Sequence, residues 1–167
     1  MDLLTKTNIK ILATRDYEMI THFEESNLHS VFYHFRIGDF IFNDKNREMQ
    51  SITLQPQESV AVISFERFNI PDNIIVSIST KSTLNLKKVV MFASAYIDPL
   101  FEGRLEVLLL NTSQNTISLN KGDILGKLYF YRFNNNDDVF HNSDADSEEL
   151  LKRKKYSISD DVGKYWS

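Results

Sequence analysis

Residues 79–84 read Ser-Thr-Lys-Ser-Thr-Leu, and residues 96–104 read Tyr-Ile-Asp-Pro-Leu-Phe-Glu-Gly-Arg. In the first segment a hydroxyl-rich turn follows a strand-like run and leads into a possible helical turn. Backbone N–H groups, the hydroxyls of Ser82 and Thr83 and the ammonium of Lys81 are the parts that hold phosphate oxygens. Taken alone, the segment also suits an ordinary Ser/Thr cap with an exposed lysine. In the second segment Pro99 fixes Asp98 in a turn, Phe101 follows three residues after Asp98, and Gly103 ends the turn. A carboxylate so placed can hold a sugar hydroxyl or orient a water, and the aromatic can stack on a ring. An Asx-type turn with a packing phenylalanine uses the same residues.

Composition narrows the chemistry. The 167 residues contain no cysteine, which excludes disulfides, a thiol nucleophile and any zinc site with a thiolate ligand. The four histidines are scattered, without HExxH or paired spacing. No Gly-rich phosphate loop, GxSxG or dinucleotide fingerprint is present. A formal charge of −4 argues against a general nucleic-acid binder but leaves room for a small anion held by local cations. No apolar run approaches the roughly 20 residues a membrane helix needs, and the first 15 residues lack the apolar stretch of a signal peptide. The expectation is a protein with no nucleic-acid or membrane partner, working in the cytoplasm.

The elements that must position these segments are mostly strands. Thr5–Ala13 reads as a short helix with Ile9, Leu12 and Ala13 on one face. Strand-like runs cover Val31–Phe42, Ser51–Leu54, Ser59–Phe65, Ile74–Ser79, Val89–Ala95, Arg104–Asn111 and Ile124–Phe133, separated by turn residues around Pro56, Pro71, Asn111–Asn115 and Asn120–Asp123. This spacing predicts an all-β sandwich or barrel. In Arg104–Asn111 one face carries Leu105, Val107 and Leu109, while the other turns apolar at Leu108 and Leu110, as a central strand or a subunit interface would. Residues 1–133 are expected to form the β domain with its N-terminal helix. Residues 134–167 are expected to form an acidic linker, a short helix at 147–155 and an aromatic tail.

Five segments in order resemble the dCTP deaminase and trimeric dUTPase superfamily, the deaminases most closely. Residues 33–39, Tyr-His-Phe-Arg-Ile-Gly-Asp, are similar to the family's Tyr-Asp-Leu-Arg-Leu-Gly-Asp. The N-terminal stretch from Leu4 to Leu28 is similar to the opening of the deaminases. Lys81-Ser82-Thr83-Leu84 falls on the phosphate motif Arg-Ser-Ser-Leu, and Ile97-Asp98-Pro99 with Phe101 and Gly103 on Ile-Asp-Pro-Gly-aromatic-x-Gly. Residues 122–128, Gly-Asp-Ile-Leu-Gly-Lys-Leu, fall on the closing Gly-x-x-Ile-Gly-Gln-Leu. The resemblance implies a distorted, dUTPase-like β-barrel of jelly-roll type with short terminal helices, assembled as a homotrimer. Nucleotide sites would lie between subunits and take a pyrimidine deoxynucleoside triphosphate, with Mg²⁺ carried on its phosphates and no zinc. Substrate contacts would fall to Lys81, Ser82, Thr83, Ala95, Tyr96, Asp98, Phe101, Lys127 and, from the tail, Tyr156.

The departures bear on activity. The deaminases' water-activating Glu aligns with Leu108, and their catalytic Arg with Leu86, although Lys87 could slide near that place. A leucine accepts no proton, and general-base catalysis typically supplies about 10²–10⁴-fold. Glu106 lies on the same strand face but roughly 6–7 Å away, so it serves only if the register shifts. His34 stands for the usual Asp, Lys81 for Arg, and Leu100 for the Gly after Asp-Pro. Three readings follow: a nucleotide-binding protein without deaminase activity; an enzyme, as a dUTP pyrophosphohydrolase using Asp98 or a deaminase using Glu106; and a scaffold that contacts a protein partner through 134–167.

Overall fold

The computed structural model describes residues 1–42, 45–47 and 49–133. Twelve strands and two short helices follow in chain order: β1 (Asp2–Leu3), α1 (Lys6–Ile11), β2 (Ile20–Thr21), β3 (Tyr33–Phe42), β4 (Lys45–Arg47), β5 (Ser51–Leu54), β6 (Ser59–Asn69), β7 (Ile74–Thr80), α2 (Ser82–Leu86), β8 (Val89–Phe92), β9 (Tyr96–Ile97), β10 (Glu102–Asn111), β11 (Ile117–Asn120) and β12 (Ile124–Arg132). A π-helical turn at Leu12–Asp16 continues α1, and a 3₁₀ turn spans Glu25–Asn27.

The main sheet runs β8-β10-β6-β3-β12-β7-β9, all antiparallel, and β11 pairs with β5 in a separate two-stranded sheet. Its two ends are β8 and β9, which only residues 93–95 connect. Such a link spans about 14 Å at most, so the sheet must curl until its ends adjoin. The result is a distorted barrel with a seam where β8 runs into β9.

Alternation decides which side chains fill the barrel. On β12 Leu128 and Phe130 are buried, while Lys127, Tyr129 and Tyr131 point outward; on β10 Leu105, Val107 and Leu109 are buried and Glu106 and Leu108 face out. The core is rich in large side chains, with Tyr33, Phe35, Phe40, Phe68 and Phe130 fully buried. One charged group sits among them. Glu66, with no exposed surface, takes the Arg36 Nε at 2.7 Å and the Arg36 backbone N–H at 2.9 Å, while the other Arg36 nitrogens reach Glu24 and the His22 carbonyl. Burial pushes the neighbouring Tyr33 phenol up to about 12. Removing one partner of a buried pair typically costs about 3–5 kcal/mol, so this network pins β3 to β6.

The longer strands match the expected runs except that β6 continues past Phe65 to Asn69, and further differences appear elsewhere. Val89–Ala95 is not one strand: pairing with β10 stops at Phe92, and the Ala95 carbonyl instead accepts the Ile78 N–H at 3.0 Å, because the chain crosses to the other end of the sheet. β11 and the two- and three-residue strands β1, β2, β4 and β9 lie in segments without a strand expectation. The linker, helix and tail expected over 134–167 fall outside the described residues.

Candidate functional site

The candidate site residues lie at the seam and along the outward face of β12. Lys81 precedes α2, whose first residues are Ser82 and Thr83. Its backbone N–H donates to the Leu125 carbonyl at 3.0 Å, which docks the Lys-Ser-Thr turn onto β12. β12 then pairs Lys127 with Ser79 of β7 on one side and with His34 of β3 on the other. Gly126 makes this close approach possible: a Cβ there would lie 2.4 Å from the Ser79 carbonyl oxygen and 2.7 Å from the Phe35 ring. Lys81, Ser82, Thr83 and Lys127 therefore come together as one corner.

Around that corner is an aromatic and imidazole shelf that sequence alone did not single out. The Lys127 ammonium lies 5.0 Å from the centroid of Phe32, and Phe32 stacks on His29 and contacts Tyr129. His29 Nε2 and His34 Nδ1 share a hydrogen bond of 3.1 Å, while His34 Nε2 is buried without a partner among the described residues. Burial, with His29, Lys81 and Lys127 adding positive charge nearby, drives the His34 imidazole down to about 4. At neutral pH His34 is uncharged. Among the described residues neither Lys81 nor Lys127 forms an ion pair with a carboxylate.

Ala95 and Tyr96 lie across β7 from this corner. Tyr96 pairs with Ser77, whose other partner is Tyr129, and its side chain is 56% exposed. Asp98 is exposed in the turn after β9, where its carbonyl accepts the Phe101 N–H at 3.3 Å. Leu100 in that turn has φ +64°, a left-handed conformation that favours the glycine it replaces. Phe101 packs against the core, its ring beside Gly103, so within one chain it is a packing residue.

On the other side of the seam, Phe92, Ala93, Ser94, Glu106, Val107 and Leu108 line an open hollow of about 480 Å³. Leu108 pairs with Phe92 on β8 and Ala61 on β6, while Glu106 pairs with Ile63. A bulge does interrupt β10, but it falls between Arg104 and Glu106; beyond it the strand is regular, and Glu106 stays two residues from Leu108. Phe92 and Leu108 in this hollow are exposed apolar side chains, as are Val90 on β8 and Leu86 on α2, Leu86 at 83%. Tyr156 lies outside the described residues.

The metal expected with the ligand's phosphates can be tested against these donors. Among the described residues no group of three or more His, Asp or Glu could hold a metal ion. The Lys81–Lys127–His34 corner offers ammonium groups, a neutral imidazole and hydroxyls, a donor set that does not fit a divalent cation.

A curled antiparallel sheet closing on such a seam is the dUTPase-like β fold. The model of the dCTP deaminase-like family matches residues 31–133, and the chain belongs to that family. It is 25% identical over 118 residues to a dCTP deaminase of Thermococcus kodakarensis, covering 68% of this chain and 76% of that protein. It is also 30% identical over 83 residues to a dUMP-forming dCTP deaminase of Methanospirillum hungatei, covering 49% of this chain and 45% of that protein. The crystal structure of the 2'-deoxycytidine 5'-triphosphate deaminase from Agrobacterium tumefaciens superposes with a TM-score of 0.66 at 14% identity. That match covers 78% of this chain, which spans about half the length of the Agrobacterium protein, 48%. No helix among the described residues is long and apolar enough to cross a membrane.

Proposed function

We propose that this chain binds a pyrimidine deoxynucleoside triphosphate between copies of itself and does not deaminate it. The observation that carries the reading is Leu108. It occupies the strand position where the resemblance calls for a Glu, faces the seam hollow opposite Phe92, and has no carboxylate in its register pair. Deamination at C4 needs a group that takes a proton from water and returns it to the leaving amine. Leu108 does neither, and the regular strand keeps Glu106 one residue pair away. Leu86, in place of the Arg, removes a second charge. The phosphate-binding parts are retained in kind: Lys81, Ser82 and Thr83 at the start of α2, with Lys127 beside them.

Exposed apolar surface supports the same reading. Phe92 and Leu108 expose apolar surface at the hollow, Val90 on β8 and Leu86 on α2 are exposed as well, and a second copy would cover this surface while completing the cleft. A second reading, hydrolysis of dUTP to dUMP and pyrophosphate, is favoured by Asp98, whose residue is exposed in its turn and free to orient a water.

Thermal unfolding with dCTP and dUTP separates binding from scaffolding. A nucleotide-dependent rise in Tm that disappears in Lys81→Ala is expected; no shift with either nucleotide would favour a scaffold acting through 134–167. Pyrophosphate release that Asp98→Asn abolishes would favour the hydrolase.

A further inference from the structure

The charge of the phosphate corner differs from that of the motifs it resembles. Those motifs place one acid, one arginine and one amide where this chain has His34, Lys81 and Lys127. The acid is gone and a cation has been added. The structure groups the three positions: Lys127 pairs with His34 across β3 and β12, and Lys81 is tied to β12 through Leu125. Both lysines act on the His34 imidazole, which stays neutral with its Nε2 buried and without a partner among the described residues. Neither ammonium ion-pairs with a carboxylate among the described residues, and Lys127 is held over the Phe32 ring rather than against an acid.

A divalent cation brought here meets two like charges and, among the described residues of the corner, no acid to hold its waters. A bare polyphosphate meets two unpaired ammonium groups and the hydroxyls of Ser79, Ser82 and Thr83. We propose that the corner takes the triphosphate chain as a metal-free anion, Lys81 and Lys127 supplying the positive charge that a divalent ion would otherwise bring. The proposal rests on the nucleotide-binding reading for its ligand.

Isothermal titration of the full chain tests it, with dCTP, dUTP and inorganic tripolyphosphate as probes, each in EDTA and in millimolar MgCl₂. The expected result is binding in EDTA that magnesium leaves unchanged or weakens. Lys127→Gln should then lose about tenfold or more in EDTA, as expected for a charge-assisted contact, and recover part of it with magnesium. Nucleotide binding that appears only with magnesium would overturn the proposal and leave the nucleotide reading standing. Tripolyphosphate binding in EDTA without binding of either nucleotide would support the metal-free corner and overturn the nucleotide reading. No binding of any probe in either condition would overturn both.

Discussion

Lys127 on β12 is the register partner of His34 on β3, so an ammonium group and an imidazole stand side by side on the outward face of the barrel. With Lys81 nearby, this pair concentrates positive charge while keeping the imidazole neutral. The antiparallel register thus underlies the proposed ligand preference, because two lysines around a neutral ring favour anions by charge.

The same pair makes stability depend on pH. The folded His34 titrates near 4, below the ordinary histidine value of 6.5. Between those values the unfolded chain binds the extra proton, so this group's contribution is intact above 6.5 and is lost as pH falls toward 4. The facing groups are His29 on the preceding loop, Lys127 on β12 and Lys81 before α2. Urea denaturation from pH 7.5 down to 4.5 should show the wild type losing stability faster than His34→Gln. Parallel curves would contradict the assignment.

Gly126 sets how closely β12 passes β7 and Phe35. A methyl group there meets backbone on one side and a buried ring on the other. Gly126→Ala should cost about 1–3 kcal/mol, the usual range for overpacking, and should shrink any nucleotide-induced rise in Tm by displacing Lys127 from Lys81. An unchanged urea midpoint would show that the strands tolerate the extra atom.

Phe92 and Leu108 pair across β8 and β10 with their side chains 53% and 41% exposed. Burying one phenylalanine side chain contributes about 1.5–3 kcal/mol, repeated at every interface of a symmetric assembly. Light scattering should give the wild type the mass of a trimer, and Phe92→Asp the mass of one chain at micromolar concentration. A monomeric wild type would remove the inter-subunit cleft.

Much of this architecture was legible in the sequence. The alternation of Leu105, Val107 and Leu109 marks the buried face of β10, and the Lys81-Ser82-Thr83 segment that opens α2 is visible as a motif. Ile117-Ser118-Leu119-Asn120 is not legible as a strand, since four residues beside turn formers carry little periodic signal. The break after Phe92 was hidden because pairing, not composition, ends β8. The shelf of His29, Phe32, His34 and Tyr129 was hidden for a similar reason: cross-strand register is fixed by non-local contacts. The left-handed Leu100 is legible only through the resemblance, which puts a glycine at that place in the turn.

The most direct test of the central claim is a product assay on the purified chain at micromolar protein, with dCTP and dUTP supplied separately, with and without MgCl₂, over hours. Chromatography resolves the nucleotides and pyrophosphate, and titration of the same preparation measures binding. The account predicts bound nucleotide recovered unchanged, with no dUTP formed from dCTP and no pyrophosphate from either. Formation of dUTP from dCTP would contradict it by showing that deamination proceeds with Leu108 and Leu86 in place.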